Sequence, residues 1–433
     1  MRARDVVFTV NLLKNPATRS TLQGWDTVTV RAVDDRTVSF ELPGVYAAFP
    51  HALRYLPILP EHLLRSVEPA NLRESSFSTN PTGSGPFAFR LLQDVNVNDG
   101  RKVVYLTQND RYYGGAPKLD RMQLHVYANT DAIARALRTG EVNAASDLPV
   151  LSAQGLNASR FVAEYKPINS GVYALFNTSS GVLSDANVRR ALRAGTDTAA
   201  IREALGGVVP ELYLPFITGQ ITGDVPGAPA YDPTEAGRLL DEAGWRLDGA
   251  SRSKDGQALT LRVVTTKNPD YEKVLEVLAS QWRGLGVAVT TSIVDPNDSS
   301  QNVAQEVFQP RRYDVLLYRL TIGGDPDVYA YWHGSQASDG LNFSNYKNSI
   351  SDDALESARA RTEGDLRNAK YLTFARQWLS DAPAVGLYQA TAQYVHTPSV
   401  HAIPQDDILV SEADRYNQVL YWTVGERMVF TTP

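Results

Sequence analysis

Along this chain the spacing of apolar residues switches between a helical and an alternating period, and the switches mark out its elements. Residues 25–33 and 36–42 alternate apolar and polar positions around Asp34-Asp35, which predicts a β-hairpin. Ahead of it, residues 5–13 carry a helical spacing, with Asp5 placed to cap the N-terminus. Pro43, Pro50, Pro57 and Pro60 punctuate the next stretch, and Pro60 opens a short helix over 61–65. The run Asn80-Pro81-Thr82-Gly83-Ser84-Gly85-Pro86 reads as a tight turn into a strand over 87–92. A second strand, 102–108, follows across a polar hairpin containing Asn98-Asp99-Gly100. A strand over 121–127 then leads to an amphipathic helix, 130–139, closed by Gly140.

A second region begins near Gly171 and keeps the same alternation. It holds a strand over 172–176, helices over 185–194 and 197–205, and a Pro/Gly-rich loop over 210–229. A helix over 233–243 stops at Gly244. The strand 258–265, helix 270–285 and strand 287–294 read as a βαβ-like unit. A strand over 313–320, a helical stretch over 352–380 broken near Gly364, and a strand over 384–388 complete the region, and the tail 394–433 returns to short strands and loops. Strands and helices interleaved in this way place the chain in the α/β class.

Length sharpens that picture: 433 residues exceed a single core, so two lobes are expected. The net charge of −6, with both signs interspersed and no basic stripe, argues against nucleic acid or an anionic membrane surface as partner. With no cysteine there is no disulfide, no thiolate catalysis and no Cys-based metal site. No run approaches the roughly 18 apolar residues that span a bilayer. The opening MRARDVVFTV lacks the apolar stretch of a signal peptide.

Candidate chemistry is sparse. The histidines, His51, His62, His125, His333, His396 and His401, form no HExxH pair, so a metal centre has no support. Gly83-Ser84-Gly85 lacks the spacing and context of a nucleophile elbow. Gly114-Gly115, Gly206-Gly207 and Gly323-Gly324 lack the lysine and helix of phosphate loops and read as turns. Nothing assembles an acid, a base and a nucleophile, which points to a binding protein rather than an enzyme. Tyr318, Tyr329, Tyr331 and Trp332 crowd around Gly323-Gly324-Asp325-Pro326-Asp327. Aromatics beside a strand end and a glycine turn suit a ligand cleft, and equally suit the packing of a domain edge.

Several segments together resemble the family 5 extracellular solute-binding proteins, which include dipeptide-, oligopeptide- and nickel-binding members. DVVFTVNLLKNP at 5–16 resembles their DVVFT helix, and NPTGSGPFAF at 80–89 their turn before a strand. NDRYYGGAPKLDRMQLHV at 109–126 resembles their YWGG motif, with Tyr113 for the usual Trp, and ALRTGEVNAA resembles a helix end in which Asn143 replaces Asp. LFNT at 175–178, DANVRRALRAGTDTAAIREALGG, YDPTEAGRLLDEAGW and YDVLLYRLTIGGDPDVYAYW continue the likeness through the second region.

The resemblance implies a two-lobed periplasmic-binding-protein type II (cluster C) fold. Lobe I would comprise 1–170, including a small subdomain of about 1–80, with 395–433 returning to it; lobe II would span 171–394. Members carry a signal peptide and further sheet before the DVVFT helix, so lobe I is expected to lack its N-terminal strands here. The implied function is an extracytoplasmic receptor, monomeric and without cofactor or metal, that binds oligopeptides or similar solutes. It would pass them to the permease subunits of an ABC importer, from a periplasmic or lipid-anchored position. In peptide-binding relatives an aspartate four residues before the Pro of the DPD-like motif takes the ligand's ammonium; Ile322 occupies that position. Arg319, where relatives carry an aromatic, either forks onto a carboxylate or phosphate or projects to solvent. The ligand-contact candidates are Asn177, Tyr318, Arg319, Thr321, Ile322, Asp325, Tyr329 and Trp332. A non-peptide ligand, anionic or glycan, and an interaction or sensory module that has lost transport are the other readings these residues leave open.

Overall fold

The computed structural model describes residues 1–20, 22, 24–96, 100–298, 302–402 and 409–425. The chain divides into two compact units: Met1–Ala145 with His396–Asp407 and Arg415–Pro433, and Ser146–Val395 with Ile408–Asp414.

The first unit opens on α1 (Ala3–Lys14), which starts two residues earlier than its pattern predicts. Asp5 is therefore not the N-cap but the third helical residue. Its carboxylate accepts the backbone N–H of Arg2 at 2.7 Å and that of Glu61 at 3.0 Å. One side chain thus caps α1 from within and also the short α2 (Glu61–Leu64). Burial pushes Asp5 up, but these donors outweigh it and hold the carboxyl below its ordinary value. Strands β1 (Thr29–Ala32) and β2 (Val38–Glu41) form the expected antiparallel hairpin. Val10, Trp25, Val28 and Leu56 make a small core beneath it. Strands β3 (Phe87–Asn96), β4 (Arg101–Gln108) and β5 (Arg121–Val126) form an antiparallel sheet. Asn98 and Asp99 of the expected β3–β4 hairpin lie outside the described residues. Helix α3 (Thr130–Thr139) ends as its sequence demands, with Gly140 at φ +75° in the left-handed region.

The second unit is built on a mixed six-stranded sheet. Its members are β6 (Ala144–Ser146), β7 (Val162–Phe176), β8 (Thr260–Thr266), β9 (Ala288–Val294), β10 (Val315–Thr321) and β11 (Ala384–His396), in the order β9-β8-β10-β7-β11-β6. Strands β7 and β11 run well beyond the five-residue stretches their patterns suggest. Helix α4 (Val150–Gln154) precedes β7. Helices α5 (Ala186–Ala194), α6 (Thr198–Ala204), α7 (Pro233–Glu242) and α8 (Pro269–Gly284) cover one face, and α9 (Ser349–Arg359) and α10 (Gly364–Asp381) the other. Strands β8 and β9 pair in parallel around α8, as the βαβ-like pattern predicts. The helical stretch breaks near Gly364 as its pattern predicts: α9 ends at Arg359 and Gly364 opens α10.

Strand parity separates the two faces. On β7, Val172, Ala174 and Phe176 enter the first core, while Tyr173 and Leu175 enter the second. On β10, Val315 and Leu317 go to the first face, and Leu316 and Leu320 to the second. Both faces are covered, so these strands read as continuous apolar runs rather than as clean alternation. Side-chain caps start the helices where the sequence places Asp or Asn: Asp185, Asp197, Asp232, Asn268 and Asn348 each accept a backbone N–H of the first turn. Each such cap contributes about 1 kcal/mol. At Gly386 on β11 the loop backbone comes so close that a Cβ would meet the Leu212 carbonyl oxygen at 2.7 Å.

Candidate functional site

Two cavities among the described residues of the second unit lie at opposite ends of the β7–β10 strand pair. The larger, about 870 Å³, lies beside Asn177, Arg189 and Arg311. Its arginines are occupied by the chain itself. Arg189 donates to the carbonyls of Leu183, Ser184 and Asp381, and Arg311 to those of Phe308, Ala337 and Gly340. They tie loops and a helix end together.

The second cavity, about 350 Å³, lies at the carboxyl ends of the parallel strands β8 and β10, the edge at which open α/β sheets bind ligands. Its polar groups come from separate parts of the chain. The loop after β8 brings Asn268, with Asp270 and Tyr271 at the start of α8; β10 brings Arg319; β11 brings Tyr388; and the segment 409–414 brings Glu412. Val172, Val209 and Leu148 supply apolar lining, and the exposed Asp147 stands at one side.

Each polar group has a local reason for its place. Asn268 caps α8 through its carbonyl oxygen, which receives the N–H of Asp270 at 2.9 Å. Asp270 turns back and accepts the N–H groups of Val150 (2.7 Å) and Leu151 (3.0 Å), capping α4 from another helix. Arg319 has the parity of Val315 and Leu317, so it emerges on the α8 face just beyond the core. Its Nη1 donates to Glu412 Oε1 at 2.6 Å. Glu412 is held there because Asn169 N–H donates to the Val410 carbonyl at 2.9 Å, and Asp414 accepts the N–H groups of Val410 (2.9 Å) and Ser411 (2.8 Å).

The electrostatics follow from burial and neighbours. Burial pushes the Tyr271 hydroxyl up to about 12 against the pull of Arg319, and raises the buried Tyr388 hydroxyl as well. Both phenols are neutral hydrogen-bonding groups at physiological pH. Burial pulls the Arg319 guanidinium down, but the Glu412 carboxylate outweighs it and the arginine stays fully charged. Burial raises Asp270 above the ordinary carboxyl value despite its two N–H donors.

Of the residues singled out from the sequence, Arg319 alone lines this cavity. Tyr318 has the opposite parity and packs its ring against Phe308, with centroids 4.9 Å apart. Ile322 is buried in the second core and donates its N–H to the Asn169 carbonyl at 2.9 Å. Trp332, 1% exposed, meets Trp378 and Tyr173 edge to face. Asp325 forms a buried bidentate pair with Arg367, at 2.7 and 2.5 Å. Tyr329 stacks on His333 beneath the Arg359 guanidinium. Thr321 is exposed, and its carbonyl accepts the Tyr331 hydroxyl. Asn177 lines the larger cavity, bonded to the Tyr313 carbonyl and to Asn345. Sequence reasoning passed over Asp270, Tyr271, Tyr388 and Glu412. Glu412 lies 93 residues from its arginine, and no local pattern marks such a pair.

A family model for the bacterial extracellular solute-binding proteins, family 5 (middle), matches residues 1–348. The chain belongs to that family. Among curated relatives, the oligopeptide-binding protein AppA of Bacillus subtilis is 27% identical over 353 residues, covering 78% of this chain and 62% of AppA. The protein XP55 of Streptomyces lividans is 29% identical over 358 residues, covering 80% of this chain and again 62% of the relative. The chain thus spans less than two thirds of the length of these relatives. Solved structures agree on the fold. AppA from Bacillus subtilis in complex with a nonapeptide superposes with a TM-score of 0.77 at 23% identity, over 98% of this chain and 84% of that one. NikZ from Campylobacter jejuni in complex with Ni(L-His) gives 0.79 at 23%, with the same coverage. The fold is the two-lobed α/β fold of family 5 binding proteins. No helix among the described residues is long and apolar enough to cross a membrane.

Proposed function

We propose that this protein is an extracytoplasmic receptor that captures oligopeptides or similar solutes and delivers them to the permease subunits of an ABC importer. The observation that carries the reading is the 350 Å³ cavity at the carboxyl ends of β8 and β10, charged and walled by tyrosines, in a chain of a solute-binding family. Volume and lining suit a small ligand held by a few convergent polar groups. The relatives supply the ligand class: one is named for oligopeptides and was solved with a nonapeptide, while another holds a nickel–histidine complex. Such a receptor binds and releases without altering its cargo, and the groups in the cavity suit that role. Asp270 is engaged by two backbone N–H groups and Glu412 by a guanidinium.

Native mass spectrometry of the freshly purified protein tests the reading. The expected result is added mass corresponding to peptides or a small solute, lost on raising the collision energy. Protein that carries no added mass, and that gains none from a tryptic digest or a pool of small metabolites, would overturn it.

A further inference from the structure

We infer that the Arg319–Glu412 ion pair is the charge-selecting element of this cavity, and that it selects a ligand bearing an ammonium and a carboxylate on one carbon, as an α-amino acid does. The inference rests on the receptor reading and narrows it.

The argument begins with what the pair excludes. Glu412 Oε1 sits 2.6 Å from Arg319 Nη1, and both side chains are accessible, at 33% and 39%. A ligand carrying only a carboxylate would reach the guanidinium at the cost of standing beside the Glu412 carboxylate. A ligand carrying only an ammonium would reach Glu412 beside a guanidinium. Each bare charge is repelled by one member of the pair about as strongly as it is attracted by the other. A ligand with both signs a few ångströms apart meets each with its opposite. Its carboxylate faces the planar fork of Arg319, which offers further N–H donors beyond the one given to Glu412. Its ammonium faces Glu412.

The surroundings favour the same ligand. Tyr271 and Tyr388 line the same wall as neutral phenols, so neither adds a charge that competes with the pair. Asp147 lies on the lining and adds negative potential for the ammonium, while Asp270 is spent on the N-terminus of α4. Closeness sets the ligand's size: facing charges this near each other fit a single α-carbon better than the separated ends of a long peptide. Ile322 is no rival anchor, because its side chain lies in the apolar core on the opposite face of the sheet.

The test uses the full chain and four probe sets in thermal-shift and calorimetric titrations: pooled free L-amino acids, their N-acetyl derivatives, their amides, and a tryptic peptide mixture. At least one free amino acid should bind, with its acetyl and amide derivatives at least about tenfold weaker. Glu412→Gln should erase the discrimination against acetylation, and Arg319→Gln the discrimination against amidation, each leaving the other in place. That crossed pattern is one that a merely structural ion pair would not give. Acetylated or amidated derivatives binding as tightly as the parent would overturn the inference. So would peptides binding where free amino acids do not, and in both cases the receptor reading stands. If no probe set binds and the protein carries no native ligand, the receptor reading itself falls.

Discussion

Among the arginine–carboxylate pairs formed by β10 and the loop that follows it, two have opposite surroundings. At Asp325 the carboxylate and its Arg367 partner are 9% and 14% exposed and meet in a bidentate fork. At Arg319 the guanidinium and Glu412 are 39% and 33% exposed and share one short bond. The first pair joins the loop after β10 to α10, with the Tyr371 hydroxyl receiving a further Arg367 bond at 3.0 Å. The second borders open volume. Identical functional groups thus serve as a fastening in one place and a candidate recognition element in the other, and burial makes the difference. A buried pair is costly to break because the survivor is left desolvated; a half-exposed pair exchanges partners readily.

The sharpest way to break this comparison is at the buried pair. Arg367→Met should cost about 3–5 kcal/mol by taking the guanidinium away from the enclosed Asp325 carboxylate, read as a lowered urea midpoint at unchanged slope. Ile322→Ala should follow at about 2–4 kcal/mol, the cost of a cavity in the second core. A loss well under 1 kcal/mol there would place Ile322 at a surface instead.

Asp270→Asn has a smaller effect, with a sign set by pH. Burial raises the Asp270 carboxyl in the folded state, so between its ordinary value and the raised one the folded protein holds a proton that the unfolded chain has released. Stability contributed by this group is therefore full below about pH 4 and declines as pH rises through the window. The asparagine variant lacks that decline. It should match the parent at low pH and equal or exceed it at neutral pH, as measured by urea titrations across the range. A variant that grows steadily less stable than the parent as pH rises would show that the α4 cap outweighs desolvation. Last comes Glu412→Gln, expected to change stability by less than about 1 kcal/mol while altering ligand discrimination. A loss like that at Arg367 would show both pairs to be fastenings.

Much of the second unit was legible before any coordinates. Helix starts at Asp185 and Asp197 and the stop at Gly244 are local chemistry, as is the stop at Gly140 in the first unit, since a cap or a left-handed glycine acts within a turn. The βαβ-like unit over β8, α8 and β9 was legible for the same reason. Asp5 was misplaced because its second partner, Glu61, lies far along the chain. The aromatic cluster around the Gly-Gly-Asp-Pro-Asp turn looked equally like a cleft and a packed edge. Trp332 lies in the core and Tyr318 packs against Phe308, because residue type alone does not say which face of β10 is open.

What the sequence determined by itself is the α/β class, most helix limits and the family, because each rests on patterns a few residues long. What only the tertiary structure decided is which charges remain available. Arg319 is presented to a cavity because parity on β10 turns it toward α8, and because a segment 93 residues away returns to set Glu412 beside it. Arg189 and Arg311 are consumed by backbone carbonyls. Availability is a matter of which pairs the fold leaves beside open volume, and the physical reason is that desolvated charges must find partners wherever the chain happens to bring them.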